Sequence, residues 1–331
     1  MLVKKILKKI LIKICRIAGF EIIDQNQFTF PSLENKEFNN LSTINKQSIV
    51  MPLGKVKISR KIEKLSIIVR TNSNVHISDQ NKKRIFNKDK EEYIERSLNS
   101  LVVSINSFKK KFNKFQIYLT IIDQSDNEIM SSKFDKIFSK LDFKPTIINF
   151  DKNELKSEIN VDFNKDVFGN LSSLLKCFKI GKDSESDLIL FLEDDYLHKK
   201  TLIEEMVLTY ERISSQTKRD LILLPSDYPF LYMDDRLTHV LAGSHRHWQT
   251  LDKILCSFLI SKKMLEIYWD NFLLTCTNHN DPIEKHLNEI CKKEICLSPI
   301  PSLSLHVANS NSIFGISPYI DIEKEWENNK N

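Results

Sequence analysis

From residue 65 onward, short apolar runs alternate with stretches in which apolar residues recur every three or four positions. The short runs predict buried strands, and the periodic stretches predict amphipathic helices. The predicted strands cover residues 65–70, 117–122, 145–150, 188–192, 221–224 and 254–260. The predicted helices cover residues 91–108, about 131–140, 170–180, 201–214 and 281 to about 292. This alternation indicates an α/β fold with a single, mostly parallel, Rossmann-like sheet and helices on both faces.

Polar clusters follow three of the predicted strands, at residues 70–72, 123–126 and 193–195. In sheets of this kind, ligands bind outside the carboxyl ends of the strands, which meet at one edge. Turns favour Asp and Asn in any case, so a single cluster would carry little information. Three clusters at the same predicted edge indicate a cleft.

The third cluster, Glu193-Asp194-Asp195, follows the apolar run 188–192 directly. Three carboxylates at the edge of a core repel one another unless a cation lies among them. A hard divalent metal that bridges the phosphates of a nucleotide supplies such a charge, because Mg²⁺-type ions bind carboxylate and phosphate oxygens. The alternative is a strand that ends in solvent, where acids only confer solubility.

The first 20 residues carry a separate pattern, with six basic side chains and no acid. Apolar residues at three- and four-residue spacing lie between the lysines, which predicts an amphipathic helix that ends at Gly19. The segment lacks the roughly 20 unbroken apolar residues of a membrane span and the uncharged core of a signal peptide. It either lies on an anionic cytoplasmic membrane surface or packs on its own domain.

The predicted organisation has four parts. Residues 1–23 form the basic helix, a membrane-surface anchor in the first of these alternatives, and residues 24–62 a polar linker or arm. Residues 63–318 form the α/β domain that carries the predicted cleft, and residues 319–331 a polar tail.

Charge and cysteine content exclude two classes of protein. Of 49 basic residues, six lie in the first 20 positions, which leaves 43 against 44 acids in a nearly neutral remainder. A neutral body argues against a nucleic-acid-binding surface. The six cysteines include no C-x-x-C pair, so neither a disulfide framework nor a zinc site is indicated.

The order of the motifs resembles that of the A-type nucleotide-sugar glycosyltransferases, especially the bacterial family-2-like group. The motif SIIVRT opens the domain, a strand ends in IIDQSD, Gly169-Asn170-Leu171 precedes a helix, and FLEDDY stands in the place of the D-x-D motif. The similarity covers about residues 65–310. Here the motif is E-D-D, a departure from strict D-x-D.

The resemblance implies a nucleotide site and a divalent metal, Mn²⁺ or Mg²⁺. Arg70 and Thr71 would lie near the base and ribose, and Asp123 would accept hydrogen bonds from the base. Asp126 and Asp194 complete the implied nucleotide-binding set.

The implied metal ligands come from two places in the chain. Asp195 would bind the metal directly, and Glu193 would contact the ribose or reach the metal through water. His306 would be a late ligand, since Mn²⁺ accepts imidazole beside carboxylate. The alternative for His306 is a structural histidine.

An inverting transfer needs a base that takes the proton of the acceptor hydroxyl. The resemblance puts this base near the start of a late helix, where Asp281 is the first candidate and Glu284 the second. Asp281, Pro282 and Glu284 also fit a capping box, which alone would explain all three residues.

Two further segments are candidates for binding the acceptor or the donor sugar. His245, Arg246, His247 and Trp248 lie together in one loop, and such side chains hold sugar rings and anionic groups. The alternative is a surface loop that Trp248 anchors to the core. Asp227 follows the strand 221–224 and either lines the acceptor side or belongs to a turn.

These observations predict a metal-dependent, inverting hexosyltransferase that moves a sugar from a nucleoside diphosphate to a glycan or lipid-linked acceptor. We expect it in bacterial surface polysaccharide synthesis, in the cytoplasm at the inner face of the plasma membrane, with no nucleic-acid partner. Alternatives are a sugar nucleotidyltransferase and a non-catalytic membrane-surface binding protein on the same fold. The sequence has no Gly-rich phosphate loop after the first strand, which argues against the nucleotidyltransferase.

Overall fold

The computed structural model describes residues 2–20, 57–74, 84–125, 128–163, 166–233, 238–307, 315, 317 and 320–330. The helices in this part of the chain are α1 (Leu2–Ile17), α2 (Lys90–Lys111), α3 (Glu128–Phe138), α4 (Asp166–Asp183), α5 (Leu202–Thr217), α6 (Lys262–Ile267), α7 (Trp269–Thr277), α8 (Lys285–Cys291) and α9 (Ile322–Asn328). The strands are β1 (Lys64–Thr71), β2 (Gln116–Asp123), β3 (Thr146–Asn149), β4 (Leu188–Glu193), β5 (Tyr196–His198), β6 (Leu221–Leu223), β7 (Val240–Ala242), β8 (His247–Thr250), β9 (Phe258–Ser261), β10 (Ile295–Ile300) and β11 (Ser304–His306).

The described strands form one large sheet in the order β3-β2-β1-β4-β9-β6-β10-β8-β7 and a small sheet of β11 and β5. The first four strands of the large sheet are parallel. Strand β9 runs antiparallel to β4 and β6, and β8 runs antiparallel to β10 and β7. All the other strands of this sheet therefore share one direction, which confirms the predicted α/β class with a mostly parallel sheet.

Apolar side chains cover both faces of the sheet, as the alternation of strands and helices predicts. Along β1, Leu65, Ile67 and Val69 join a cluster with α2, α3 and α5. Ile68 points to the opposite face and joins a cluster with α4, α6 and α7. This period of two is the side-chain period of a strand, so β1 contributes to the core on both faces of the sheet.

Helix α1 ends as predicted. Gly19 has φ +83°, the left-handed conformation that glycine adopts without steric cost. Its N–H donates to the carbonyl of Arg16 at 3.1 Å, and the N–H of Phe20 donates to that of Cys15 at 2.8 Å. These two bonds are a Schellman motif. Among the described helices, none has both the length and the apolar content to cross a membrane.

The predicted linker, residues 24–62, is described only from residue 57. Ser59 and Arg60 donate backbone N–H groups to the hydroxyl of Ser215 on α5, and the N–H of Ile62 donates to Glu211. The predicted polar tail includes α9, whose Trp326 is 2% exposed.

Several boundaries differ from the sequence-based expectation. Helix α4, expected over residues 170–180, begins at Asp166. The strand expected over residues 254–260 is shorter and begins at Phe258. The helix expected from residue 281 begins at Lys285, with Glu284 at the N-cap and no side-chain capping bond. The capping box of Asp281 and Glu284 therefore does not form, because the N–H of Lys285 bonds to the carbonyl of Pro282 in a turn that precedes the helix.

Candidate functional site

The candidate site is built around the tight turn between β4 and β5, which holds Asp194 and Asp195. Strand β11 pairs antiparallel with β5, and its register puts His306 opposite Tyr196. His306 Nε2 therefore lies 3.3 Å from Asp195 Oδ2. Its ring stacks on that of Tyr196 with centroids 4.8 Å apart. The strand pair β5–β11, which the sequence did not reveal, thus brings His306 and Asp195 together. Their assignment as metal ligands stays a prediction.

The two carboxylate oxygens of Asp195 have different environments. Oδ2 faces His306, whereas Oδ1 is buried and has no hydrogen-bond partner among the described residues. Burial opposes the charge, but His306 and Lys90 hold the pKa of Asp195 below its ordinary value, so the group is an anion. A buried anionic oxygen without a hydrogen-bond donor costs folding free energy unless a cation binds to it.

Asp195 and His306 together fit a divalent cation that takes most of its ligands from substrate phosphates and water. In the described part of the chain, no group of three or more His, Cys, Asp or Glu side chains is arranged to hold a metal ion. Asp195 and His306 form a pair. Mg²⁺-type ions commonly use one or two protein ligands together with substrate phosphates and water, so a pair is sufficient.

Glu193, the first member of the acidic triplet, is held by Arg70 on the neighbouring strand. Arg70 and Glu193 are paired in the β1–β4 register, and the guanidinium forms an ion pair with Glu193 Oε1. The same guanidinium donates to the side chain and carbonyl of Asn170 and reaches Ser173 Oγ at 3.4 Å, both on α4. Burial opposes its charge, but Glu193 and neighbouring groups hold the pKa of Arg70 above its ordinary value.

Asp194 lies between two donors. Its carboxylate accepts from Lys90 Nζ at 2.5 Å and from the backbone N–H of Asn72 at 2.9 Å. Burial disfavours the charge on Lys90, but the carboxylates of Asp194 and Asp195 outweigh this effect and raise the pKa of Lys90. In this structure Asp194 binds Lys90, and its assignment to the nucleotide stays a prediction.

Thr71 and Asp123 lie side by side because they are paired in the β1–β2 register. Thr71 Oγ1 donates to Asp123 Oδ1 at 2.7 Å, and Ser125 Oγ donates to the same oxygen at 2.7 Å. Both residues are at most 5% exposed. The second and third polar clusters thus flank the first, as expected for one edge of a sheet. Asp126 lies outside the described residues.

The two candidate bases have contrasting environments. Asp281 is exposed. Glu284 is half-buried, and Cys256 Sγ donates to its Oε1 at 3.5 Å. Burial, assisted by the charge of Glu193, raises the pKa of Glu284, while Arg70 opposes the shift. Glu284 therefore lies within electrostatic reach of the Arg70–Glu193 pair.

The histidine-rich loop before β8 is organised by a carboxylate on α5. Glu205 is 1% exposed and accepts from the N–H groups of His245 and Arg246 at 2.8 and 3.1 Å. It also accepts from Trp248 Nε1 at 3.1 Å. Trp248 is fully buried, which corrects the expectation that its ring faces a sugar. The structure gives it the anchoring role instead.

The remaining loop residues are accessible. His245 and His247 are exposed, and Arg246 is half-buried, with its guanidinium donating to the carbonyl of Pro301 at 2.9 Å. Their assignment to the acceptor or sugar stays a prediction.

Asp227 is 2% exposed and part of a hydrogen-bonded turn. The hydroxyl of Tyr232 donates to its two carboxylate oxygens at 2.8 and 2.7 Å, and Gln249 Nε2 donates to Oδ1 at 3.0 Å. These bonds fix the turn after β6. The assignment of Asp227 to the acceptor stays a prediction.

The structure adds supporting residues that the sequence pattern did not single out. Trp326 on α9 stacks on Phe86 with centroids 4.2 Å apart, and the guanidinium of Arg96 lies 4.3 Å from its ring. The same cluster contains Leu197 and Leu305, which lie next to the segments that carry Asp195 and His306. No sequence signal marked Lys90 or Trp326, because their partners are distant in the chain. Asn170 appeared only as part of the Gly169-Asn170-Leu171 motif, with no partner assigned to it.

No family model matches this chain, and no curated protein matches it. Several solved structures are similar. A fragment of TarS from S. aureus, residues 1–349, has a TM-score of 0.39 and 13% identity over 71% of this chain. The galactosyltransferase LgtC, in complex with donor and acceptor sugar analogues, has a TM-score of 0.36 and 11% identity over 70% of this chain and 72% of its own. A cytidylyltransferase from Leptospira borgpetersenii has a TM-score of 0.35 and 12% identity over 80% of this chain and 84% of its own.

The chain spans 57% of the length of the TarS fragment. At TM-scores of 0.35 to 0.39 these likenesses carry no argument about function. The functional conclusion therefore rests on the residues of the site.

Proposed function

We propose that the protein is a metal-dependent glycosyltransferase that uses a nucleoside-diphosphate sugar. The observation that carries the proposal is the Asp195–His306 pair, with one buried, unpartnered carboxylate oxygen at the carboxyl end of a parallel strand. The order of the sequence motifs supplies the reaction class.

Asp195 and His306 would hold the cation, Mn²⁺ or Mg²⁺. When bound, such a cation neutralises the charge that develops on a departing diphosphate. Arg70 and Lys90 add fixed positive charge beside it, and each is restrained by a carboxylate. Thr71 and Asp123 offer hydrogen-bonding groups to a base or ribose at the neighbouring strand ends.

Glu284 is the residue we assign to proton removal from the acceptor hydroxyl. Its raised pKa makes it a stronger base than an exposed carboxylate, and base strength matched to the working pH favours proton transfer. Asp281 is the weaker candidate because it is exposed and outside this charge cluster. A base at this position accords with inversion at the anomeric carbon.

We assign the enzyme to the cytoplasm, at the inner face of the plasma membrane, in the synthesis of a bacterial surface polysaccharide on a glycan or lipid-linked acceptor. The basic N-terminal helix supports this location.

Thermal unfolding with a panel of nucleotides and nucleotide sugars tests the proposal. A ligand at 100 times its Kd stabilises the folded protein by about 2.7 kcal/mol. We expect stabilisation by one nucleoside diphosphate with Mn²⁺ or Mg²⁺, its loss with EDTA, and its loss in Asp195→Asn. The same panel on Asp227→Asn is the matched control, and its ligand response should persist.

Absence of any metal-dependent stabilisation across the panel would refute the proposal. Release of pyrophosphate from a nucleoside triphosphate and a sugar phosphate would instead indicate a sugar nucleotidyltransferase.

A further inference from the structure

Helix α1 exposes a row of large apolar side chains. Ile6, Leu7, Ile10, Leu11 and Ile14 are each 51 to 61% exposed, and Ile17 and Phe20 are 80% and 71% exposed. An isolated apolar side chain at the surface is ordinary, but a continuous row along about three turns of one helix marks an interaction surface.

The same helix is strongly cationic. Residues 1–20 carry Lys4, Lys5, Lys8, Lys9, Lys13 and Arg16 and no acid. The basic positions alternate with pairs of apolar positions at helical spacing, so the charges flank the apolar row. Such a distribution favours a partner that is apolar within and negatively charged at its edge.

Three placements of α1 fit its exposed apolar row and its charge poorly: a membrane span, packing on its own domain, and pairing with a second copy. At 16 residues with its interspersed lysines, α1 is too short and too charged to span a bilayer. The apolar row from Ile6 to Ile17 is exposed rather than packed on the domain. A second copy of α1 would bring like charges together along the whole contact, which is unfavourable.

We propose that α1 lies in the interface of an anionic lipid bilayer, with the apolar row among the acyl chains and the lysines at the lipid phosphates. The charge row is complementary to anionic headgroups, and amphipathic helices of this composition bind in this plane. The Schellman motif at Gly19 ends the helix before the polar segment that leads to the domain. The inference supplies the contact that the proposed location requires, but it is independent of the proposed reaction.

Sedimentation of the full-length protein with vesicles tests this inference. We expect binding to phosphatidylcholine vesicles in which about one third of the lipid is phosphatidylglycerol, and weak binding to pure phosphatidylcholine vesicles. Because each lysine near the surface contributes about fivefold in affinity, Lys9→Glu with Lys13→Glu should weaken binding about 30-fold or more. Binding should also weaken between about 0.1 and 0.5 M salt.

Two further variants separate charge from position. Lys110→Glu with Lys114→Glu makes the same charge change at exposed sites on and after α2, and it should leave vesicle binding within about twofold. Ile10→Ser with Ile14→Ser keeps the charge and removes apolar area, and it should weaken binding at least tenfold.

Equal binding to neutral and anionic vesicles, or no binding to either, would overturn the inference. An α1-dependent dimer in the absence of lipid would also overturn it in favour of a second copy. The assay contains no nucleotide sugar, so its outcome is distinct from failure of the proposed glycosyltransferase activity.

Discussion

Two strand ends at the same edge of the sheet use an aspartate in opposite ways. Asp195, after β4, has one oxygen facing His306 and one buried oxygen with no partner among the described residues. Asp227, after β6, receives Tyr232 and Gln249, and its N–H donates to Ser302 Oγ at 2.5 Å. The sequence offers both as acids after an apolar run. Their hydrogen bonds distinguish a candidate ligand from a structural group.

In a fold of this kind, the completeness of a carboxylate's hydrogen bonds separates a structural aspartate from a candidate ligand. A carboxylate whose bonds are complete stabilises its turn, because removing it leaves donors unsatisfied. A buried carboxylate with an incomplete set costs stability and is retained for another reason, of which cation binding is the simplest. The same criterion, completeness of the bonds to each carboxylate, separates the three members of the acidic triplet. Glu193 and Asp194 each bind a basic side chain, whereas Asp195 keeps an oxygen available.

The largest expected effect follows substitution at the β4 end. Asp195→Asn should lower metal-dependent glycosyl transfer by about 10³-fold or more, since the cation contributes several kcal/mol to the transition state. The urea midpoint should change little. Asp227→Asn should do the reverse, with a loss of about 1–3 kcal/mol in unfolding free energy and near-normal turnover at low temperature. Equal loss of turnover in both variants would remove the distinction between the two strand ends.

The next effect tests which carboxylate near α8 takes the proton. Glu284→Gln should lower turnover by about 10²–10⁴-fold, and Asp281→Asn should change it little. Because burial raises the pKa of Glu284, the rising limb of the pH–rate profile should lie above the ordinary range of a glutamate. The profile should lose this limb in Glu284→Gln. A larger loss in Asp281→Asn would reverse the assignment.

The sequence predicted the parallel half of the sheet well and the mixed half poorly. Strands β1, β2, β3 and β4 and helix α2 coincide closely with the predicted ranges, because each strand is a distinct apolar run between helices. Strands β5, β7, β8 and β11 have only three or four residues. Unlike the equally short β3, these strands are not apolar runs set between predicted helices. The antiparallel partners of β5 and β8 in β11 and β10 also come from distant parts of the chain.

The candidate site likewise has parts that could be predicted from the sequence and parts that could not. The clusters at residues 70–72 and 193–195 could be predicted because they follow recognisable strands. The resemblance, not the pattern, indicated His306, and the β5–β11 pair explains its position. Lys90, which binds Asp194, could not be foreseen, because a lysine at the start of a helix gives no sign of a partner 104 positions away.

A smaller effect is expected at the carboxylate that organises the loop near β8. Glu205→Gln should lower the unfolding free energy by about 1.5–3 kcal/mol, because donors from His245, Arg246 and Trp248 converge on that charge. Glu204→Gln is the matched control on the same helix. Its partner Lys111 is 56% exposed, so the change should cost less than about 1 kcal/mol. Urea unfolding of both variants measures the difference, and similar losses would count against an organising role for Glu205.

The smallest effect concerns His198 on β5, the strand that follows Asp195 and pairs with β11. Its Nδ1 lies 2.7 Å from Ser304 Oγ, and burial lowers the pKa of His198 from 6.5 to about 3. The unfolded chain therefore binds a proton that the folded chain rejects between these two values. Stability from this group is complete above pH 6.5 and declines as the pH falls, by about 1.4 kcal/mol at pH 5.5. Urea midpoints at pH 7.5 and 5.5 should differ less in His198→Asn than in the wild type. His279→Asn, at an exposed histidine, should keep the wild-type difference. If His198→Asn also keeps it, the acid sensitivity arises elsewhere and β5 does not require a neutral imidazole.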